Sequence, residues 1–327
     1  MIGERTMSTK PSLEAVNLSK RYGSFTALSD LNLKIEGSKC VGFLGPNGAG
    51  KTTTLKIFCD MIRATSGSAY LNGFEIREDK KRALESCGVL IESPEIYPSL
   101  SAREALSMFS EIKGIPKPER RKAVEDAVDI VGMIEWVDRR FGSYSKGMKQ
   151  RINIAAALLG DPSILLLDEP TSGLDPRGMN EVREIVKSLK KEQKLIFMSS
   201  HLLSEVQDVC DEVVMIDHGK LLLHDTIEKA VSRFSASGEE SNAVFDAGFS
   251  RPVDVETIRS KLSQLGSISR VEKIDQRRIR VTCSGGIKMQ EEIVSLLASL
   301  QMGLISFGQS SSALESTYLN LIGREVA

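Results

Sequence analysis

Three uninterrupted apolar runs stand out along the chain: Cys40-Val41-Gly42-Phe43-Leu44, Ile164-Leu165-Leu166-Leu167 and Leu195-Ile196-Phe197-Met198. Runs of this length, bounded by turn residues, predict strands covered on both faces, as in a parallel sheet. Val89-Leu90-Ile91 is a shorter run of the same kind. Two other segments, Ser12–Leu18 and Leu28–Ile35, alternate apolar with polar and predict half-buried strands of a second sheet. Asn72-Gly73 between Ser68–Leu71 and Phe74–Glu75 predicts a tight hairpin, as does His218-Gly219 between Val213–Asp217 and Lys220–Leu223. Helical spacing covers Lys51–Ile62, Ser101–Lys113 and Lys117–Val131, with Ser101 as cap and Glu104 three residues on. A further helix opens within Ser143–Arg151 and runs to about Leu159. Another begins at Pro176 behind a capping Asp175 and reaches about Lys191, and a last one spans Leu202–Cys210. Strands and helices in this alternation predict an α/β core, with the helices at 101–131 inserted into it.

A polar stretch, Ser235–Asn242, then predicts a linker. Beyond it the pattern is strand (Ala243–Phe249), helix (Val255–Leu265), strand (Ile268–Ile274), strand (Arg278–Cys283), helix (Met289–Leu300) and strand (Leu304–Gln309), with a closing helix at Ala313–Ile322. That order predicts a small ferredoxin-like α+β unit. The expected organisation is therefore a first domain at 12–234, a linker at 235–242 and an accessory domain at 243–327. The accessory domain shows no catalytic constellation; a dimerisation appendage and a ligand-sensing module both fit it.

Composition narrows the class. The 327 residues carry a formal net charge of −1, with 41% hydrophobic and 27% charged residues, an ordinary globular balance. Acidic and basic residues stay matched on both sides of the linker, so no electrostatic footprint for nucleic acid is present. Five scattered cysteines form no C-x-x-C pair, which points to a reducing compartment rather than to disulfides or zinc. The start lacks an apolar secretory core, with Met7 as an alternative initiator. No apolar run approaches the roughly 20 residues that span a bilayer.

The chemistry is concentrated after the first apolar run. Gly45, Pro46, Asn47, Gly48, Ala49, Gly50, Lys51 and Thr52 read G-x-x-x-x-G-K-T between a strand and a helix that continues with Thr53. Glycines there let backbone N–H groups wrap a polyphosphate, and the helix N-terminus adds donors and a favourable dipole. Lys51 supplies a charge for the β- and γ-phosphates, and the Thr52 hydroxyl a ligand for Mg²⁺. The alternative, a glycine-rich turn that merely joins strand to helix, does not explain all eight positions. Asp168 and Glu169 close a buried strand; in a chain with a phosphate loop, Asp168 would hold Mg²⁺ and Glu169 would polarise the attacking water. His201 follows the next buried strand, where ligand sites of parallel sheets lie, and would contact the γ-phosphate and Glu169. Tyr22 offers a flat face to a purine, worth about 1–3 kcal/mol by analogy with base stacking; a strand-end aromatic is the plain alternative.

Tyr22, the phosphate loop Gly45–Thr52, Tyr144-Ser145-Lys146-Gly147-Met148, the strand Ile164–Asp168 with Glu169, the turn Ser172–Asp175 and His201 occur in an order that resembles the ATP-binding subunits of ATP-binding-cassette (ABC) transporters. The resemblance covers 12–233. It implies a RecA-like P-loop core with an antiparallel β subdomain and a helical subdomain, and ATP and Mg²⁺ as cofactors. It further implies a head-to-tail homodimer in which Ser145 and Gly147 contact the partner's nucleotide, and it places Asp175 among the nucleotide-binding residues. A separate membrane permease and a place on the inner face of the cell membrane follow from the same resemblance, while the near-zero charge gives no reason to expect a nucleic-acid partner. Two positions depart from the family pattern. Lys146 stands where glycine is usual. Glu92 stands where a glutamine is usual, since the first glutamine of the chain is Gln150; Glu92 is thus a candidate metal ligand. Ile91-Glu92-Ser93-Pro94 resembles the subgroup handling bacitracin and lantibiotic peptides, which are exporters. The rival readings are a soluble cassette ATPase working on nucleic acid or ribosomes, and a nucleotide-sensing regulator.

Overall fold

The computed structural model describes residues 10–91, 96–230, 243–283 and 287–309. The chain divides into two compact units, 1–226 and 227–327. Glu92, the linker at 235–242 and the closing helix at Ala313–Ile322 lie outside the described residues.

In the first unit, β1 (Ser12–Tyr22), β2 (Phe25–Glu36), β4 (Ser66–Leu71) and β5 (Phe74–Glu75) form an antiparallel sheet in the order β2-β1-β4-β5. Both long strands outrun the alternating pattern. Asn17 and Asp30 adopt left-handed φ values of 48° and 49°, and the β1–β2 register shifts between Ala15 and Leu18 and again before Lys20. A bulge moves side chains to the opposite face, so alternation ends while pairing continues. The hairpin closes with Tyr22 opposite Phe25. At the other turn, Asn72 (φ 51°) and Gly73 (φ 81°) both take positive φ, as a tight Asn-Gly hairpin requires.

The second sheet has six strands: β3 (Lys39–Leu44), β6 (Cys87–Leu90), β7 (Ile164–Asp168), β8 (Leu195–Ser200), β9 (Glu212–Asp217) and β10 (Lys220–Thr226). Their order is β10-β9-β3-β8-β7-β6, parallel except for β10 at one edge. Every residue of β8 is buried, and so are four of the five in β7, because layers cover both faces. Helix α1 (Lys51–Phe58) contributes to one apolar core with side chains from both sheets; Phe43 and Phe58 flank Phe197 with ring centroids 5.0 and 6.5 Å away. Helix α2 (Lys80–Glu85), capped by Asp79, is too short for periodicity to announce.

The inserted helices are α3 (Ala102–Ile112), α4 (Lys117–Ile130) and α5 (Lys146–Leu158). Ser101 and Glu104 make both bonds of the capping box. Helix α6 (Pro176–Lys190) follows β7 and α7 (Leu203–Val209) follows β8. Among the described residues no helix is long and apolar enough to cross a membrane.

The second unit contains β11 (Ala243–Phe249), α8 (Val255–Leu262), β12 (Ile268–Lys273), β13 (Arg278–Cys283), α9 (Ile287–Ser299) and β14 (Leu304–Gln309). Its sheet is antiparallel in the order β12-β13-β11-β14, so the first and third strands of the unit lie in the middle. Ile258, Leu262, Ile293 and Leu297 from the helices meet Phe245, Ala247, Ile279 and Val281 of the sheet in a separate core.

Candidate functional site

The phosphate loop leaves the C-terminal end of β3, the central strand, and enters α1. Gly50 is the N-cap at φ 106°, and a Cβ there would lie 2.6 Å from the Ala27 carbonyl. Gly48 sits at φ 84° with open space around it, so its requirement is conformational rather than steric. The loop is braced by a turn that spacing does not link to it. Gly219 N–H donates to Ala49 O, while Gly219 O accepts from Ser29 N–H. The β9–β10 hairpin thereby fastens the loop to β2.

Lys51 is buried, its side chain 5% exposed, and its ammonium donates to Gly45 O at 2.8 Å and Pro46 O at 3.2 Å. The same Nζ stands 3.6 Å from Glu169 Oε1. Glu169 Oε2 lies 3.2 Å from His201 Nδ1, a hydrogen bond when that nitrogen carries the proton. Three candidate residues from α1, the end of β7 and the end of β8 therefore meet around one carboxylate. Thr52, Asp168, Glu169 and Ser172 line a cleft of about 1040 Å³ that also holds Lys146 and Gln150. Thr53 sits half-buried in the first turn of α1.

Ser199 organises the acid pair, and sequence reasoning did not single it out. Fully buried in β8, its hydroxyl donates to Asp168 Oδ1 and accepts from Glu169 N–H at 2.9 Å. Asp168 Oδ2 has no protein partner among the described residues. Glu169 adopts φ 43°, a left-handed value rare for a residue without special need. Nearby Cys59 is pushed up to about 12 by burial, with a smaller push from Asp168, so its thiol stays protonated.

The donors suit Mg²⁺. One hydroxyl and one carboxylate are hard oxygen ligands, and magnesium usually takes one or two carboxylates and completes its shell with phosphate oxygens and water. Among the described residues no group of three His, Cys, Asp or Glu side chains is gathered to hold a metal. Thr52 and Asp168 would hold the Mg²⁺.

The Ser145 side of the chain is elsewhere. Ser145 caps α5, accepting from Met148 N–H at 3.2 Å, and Asp175 caps α6, accepting from Gly178 N–H at 3.1 Å. Both caps, with Gly147, Gly178 and Arg151, line a second cavity of about 440 Å³ that contains none of Lys51, Asp168 or Glu169. A Cβ at Gly147 would come 3.6 Å from Gly178 Cα, so the two helix heads meet nearly backbone to backbone. Lys146 turns towards the turn after β7, its Nζ packed over Gly173 so closely that a Cβ there would overlap it. Tyr22 is 49% exposed at its hairpin tip, with Lys20 Nζ 4.8 Å from the ring centroid.

Comparison with known proteins matches residues 28–172 to the ABC transporter family. The bacitracin transport ATP-binding protein BcrA of Bacillus licheniformis is 42% identical over 211 residues, 64% of this chain and 68% of that protein. The uncharacterised ABC transporter ATP-binding protein YhcH of Bacillus subtilis (strain 168) is 30% identical over 320 residues, 96% of this chain and 97% of that protein. Among solved structures, cbiO1 from Clostridium perfringens, part of the ABC transporter complex cbiONQ, superposes with a TM-score of 0.60 at 27% identity, covering 69% of this chain and 94% of that one.

Proposed function

The chain belongs to the ABC transporter family as an ATP-binding, ATP-hydrolysing subunit, and on that premise we propose that its two cavities are the two halves of an MgATP site completed between two copies arranged head to tail. The observation that carries this reading is the separation of the parts. Lys51 and His201 gather on the Glu169 carboxylate, which lines one cleft together with Thr52 and Asp168, whereas Ser145 and Gly147 line another. A single copy would thus hold the phosphates from one side only. The head of α5, where first-turn N–H groups and the positive end of the helix dipole converge, is suited to meet the γ-phosphate held by a second copy.

Within the cleft, Gly45–Thr53 cradle the phosphates and Lys51 exchanges its loop carbonyls for phosphate oxygens. Bound Mg²⁺ supplies charge neutralisation for the polyphosphate. Glu169 Oε1 or Oε2 accepts a proton from the attacking water, and His201 orients that carboxylate. Tyr22 stacks on the purine, and Asp175 fixes the α6 head at the interface between copies. Phosphoryl transfer asks chiefly for positioning and charge stabilisation, which this set provides.

The subunit drives a separate permease from the inner face of the cell membrane. Likeness to a bacitracin transport protein supports a peptide of that kind as cargo, and the exporter reading follows the same resemblance. Balanced charge argues against the rival, an ATPase working on nucleic acid or ribosomes. Fractionation of cells tests the choice: the chain should sediment with membranes and become soluble when the permease is deleted. Sedimentation with ribosomes in both strains would reverse it.

A further inference from the structure

We propose that Gln150 is a positioning residue for hydrolysis, holding Glu169 in place from the α5 side and linking that carboxylate to the Ser145 head of the same helix. Gln150 Nε2 donates to Pro170 O at 2.7 Å. Pro170 has no N–H, so its carbonyl is the one backbone group by which the chain after Glu169 can be held at that residue. Glu169 needs holding. It carries φ 43°, and a residue before proline is normally driven to extended backbone. Ser199 restrains it through its own N–H, and Gln150 restrains the next residue, Pro170, through its carbonyl.

The bond belongs to a larger seam. Helix α5 touches the segment after β7 at three successive places: Lys146 on Gly173, Gly147 against Gly178, and Gln150 on Pro170. Two of these residues flank Gly147 within the first turns of a helix capped by Ser145. A shift of the α5 head is therefore carried to Pro170 and onward to Glu169. Resting on the reading that Ser145 meets the partner's nucleotide, the seam lets the arrival of a second copy set the catalytic carboxylate of the first.

The test uses the full-length chain with MgATP. Gln150→Leu removes the donor at similar volume, and Gln150→Lys keeps a donor of similar reach. Misplacing a reacting group by about 1 Å costs about 100-fold, so Gln150→Leu should lower kcat between about 10- and 100-fold while leaving KM and nucleotide affinity within about twofold. Gln150→Lys should recover kcat to within about threefold of wild type. In a Glu169→Gln background, Gln150→Leu should remove nothing further from the residual rate, because it acts through Glu169. Wild-type kcat in Gln150→Leu, or a full additional loss on top of Glu169→Gln, overturns the proposal. Ser145→Arg separates the two readings. If it hydrolyses ATP like wild type, the cross-copy site and the relay through α5 both fall, whereas the non-additivity of Gln150 and Glu169 is decided by its own measurement.

Discussion

Lys51 Nζ stands 3.6 Å from Glu169 Oε1 while bonded to the carbonyls of Gly45 and Pro46. The phosphate loop and the carboxylate at the end of β7 are thus electrostatically one unit, with the ammonium closing the loop on itself. A polyphosphate entering the loop meets a cation already buried and aimed. Lys51→Ala should weaken ATP binding at least about tenfold, the scale of one charge-assisted hydrogen bond. Fluorescent-nucleotide titration measures it, and unchanged affinity would remove Lys51 from the phosphate site.

Glu169 shares its oxygens between Lys51 and His201. Glu169→Gln preserves shape and removes the proton acceptor. General-base groups contribute about 10²–10⁴-fold, so turnover should fall by about that factor while ATP binding persists. The closed two-copy state should accumulate with ATP, read by size exclusion with light scattering. Rapid hydrolysis by this variant would move the base elsewhere, and His201→Ala would then be the variant to compare.

Ser199 bridges residues that sequence spacing leaves unrelated. Its hydroxyl is the donor to Asp168 and the acceptor from Glu169 N–H. Ser199→Ala leaves both groups partly desolvated without this partner, at a cost of about 1–3 kcal/mol. Thermal melting should drop by several degrees, and bound ATP should stabilise the variant less than wild type because Asp168 is no longer held for the metal. A melting point equal to wild type would show that water replaces the hydroxyl without loss.

What could be read from the sequence follows from how local each signal is. The strands Ile164–Asp168 and Leu195–Ser200 were legible because continuous burial makes an unbroken apolar run through most of their length. Asp175 before Pro176, Ser101 before Glu104 and Asn72-Gly73 are likewise local chemistry, and the elements they predict are present. Ser199 was invisible for the opposite reason. Its role depends on the parallel register that pairs Asp168 with Ser199 across 31 residues, and no periodicity encodes register between distant strands. Gln150 and the Gly219 brace are long-range in the same sense. The bulged ends of β1 and β2 were lost because a register shift erases alternation without ending the strand.

The N-terminal ends of β3 and β9 carry a charge cluster whose sign sets its pH response. Glu212 accepts from Lys39 Nζ at 2.6 Å and pairs with His224 Nε2 at 3.0 Å, joining β3, β9 and β10. Burial alone would raise its carboxyl, but the hydrogen bonds from Lys39 and His224, reinforced by their charges, hold it below the ordinary value of 4.5. A carboxylate depressed in the folded state contributes stability above its unfolded pKa and loses it as pH falls through the folded value. Glu212→Gln should therefore unfold at lower denaturant than wild type at pH 7. The gap should narrow below about pH 4.5 and close once wild-type Glu212 is itself protonated. Chemical denaturation at several pH values measures this, and a gap that stayed constant from pH 7 to acid would mean that packing, not charge, is what Glu212 supplies.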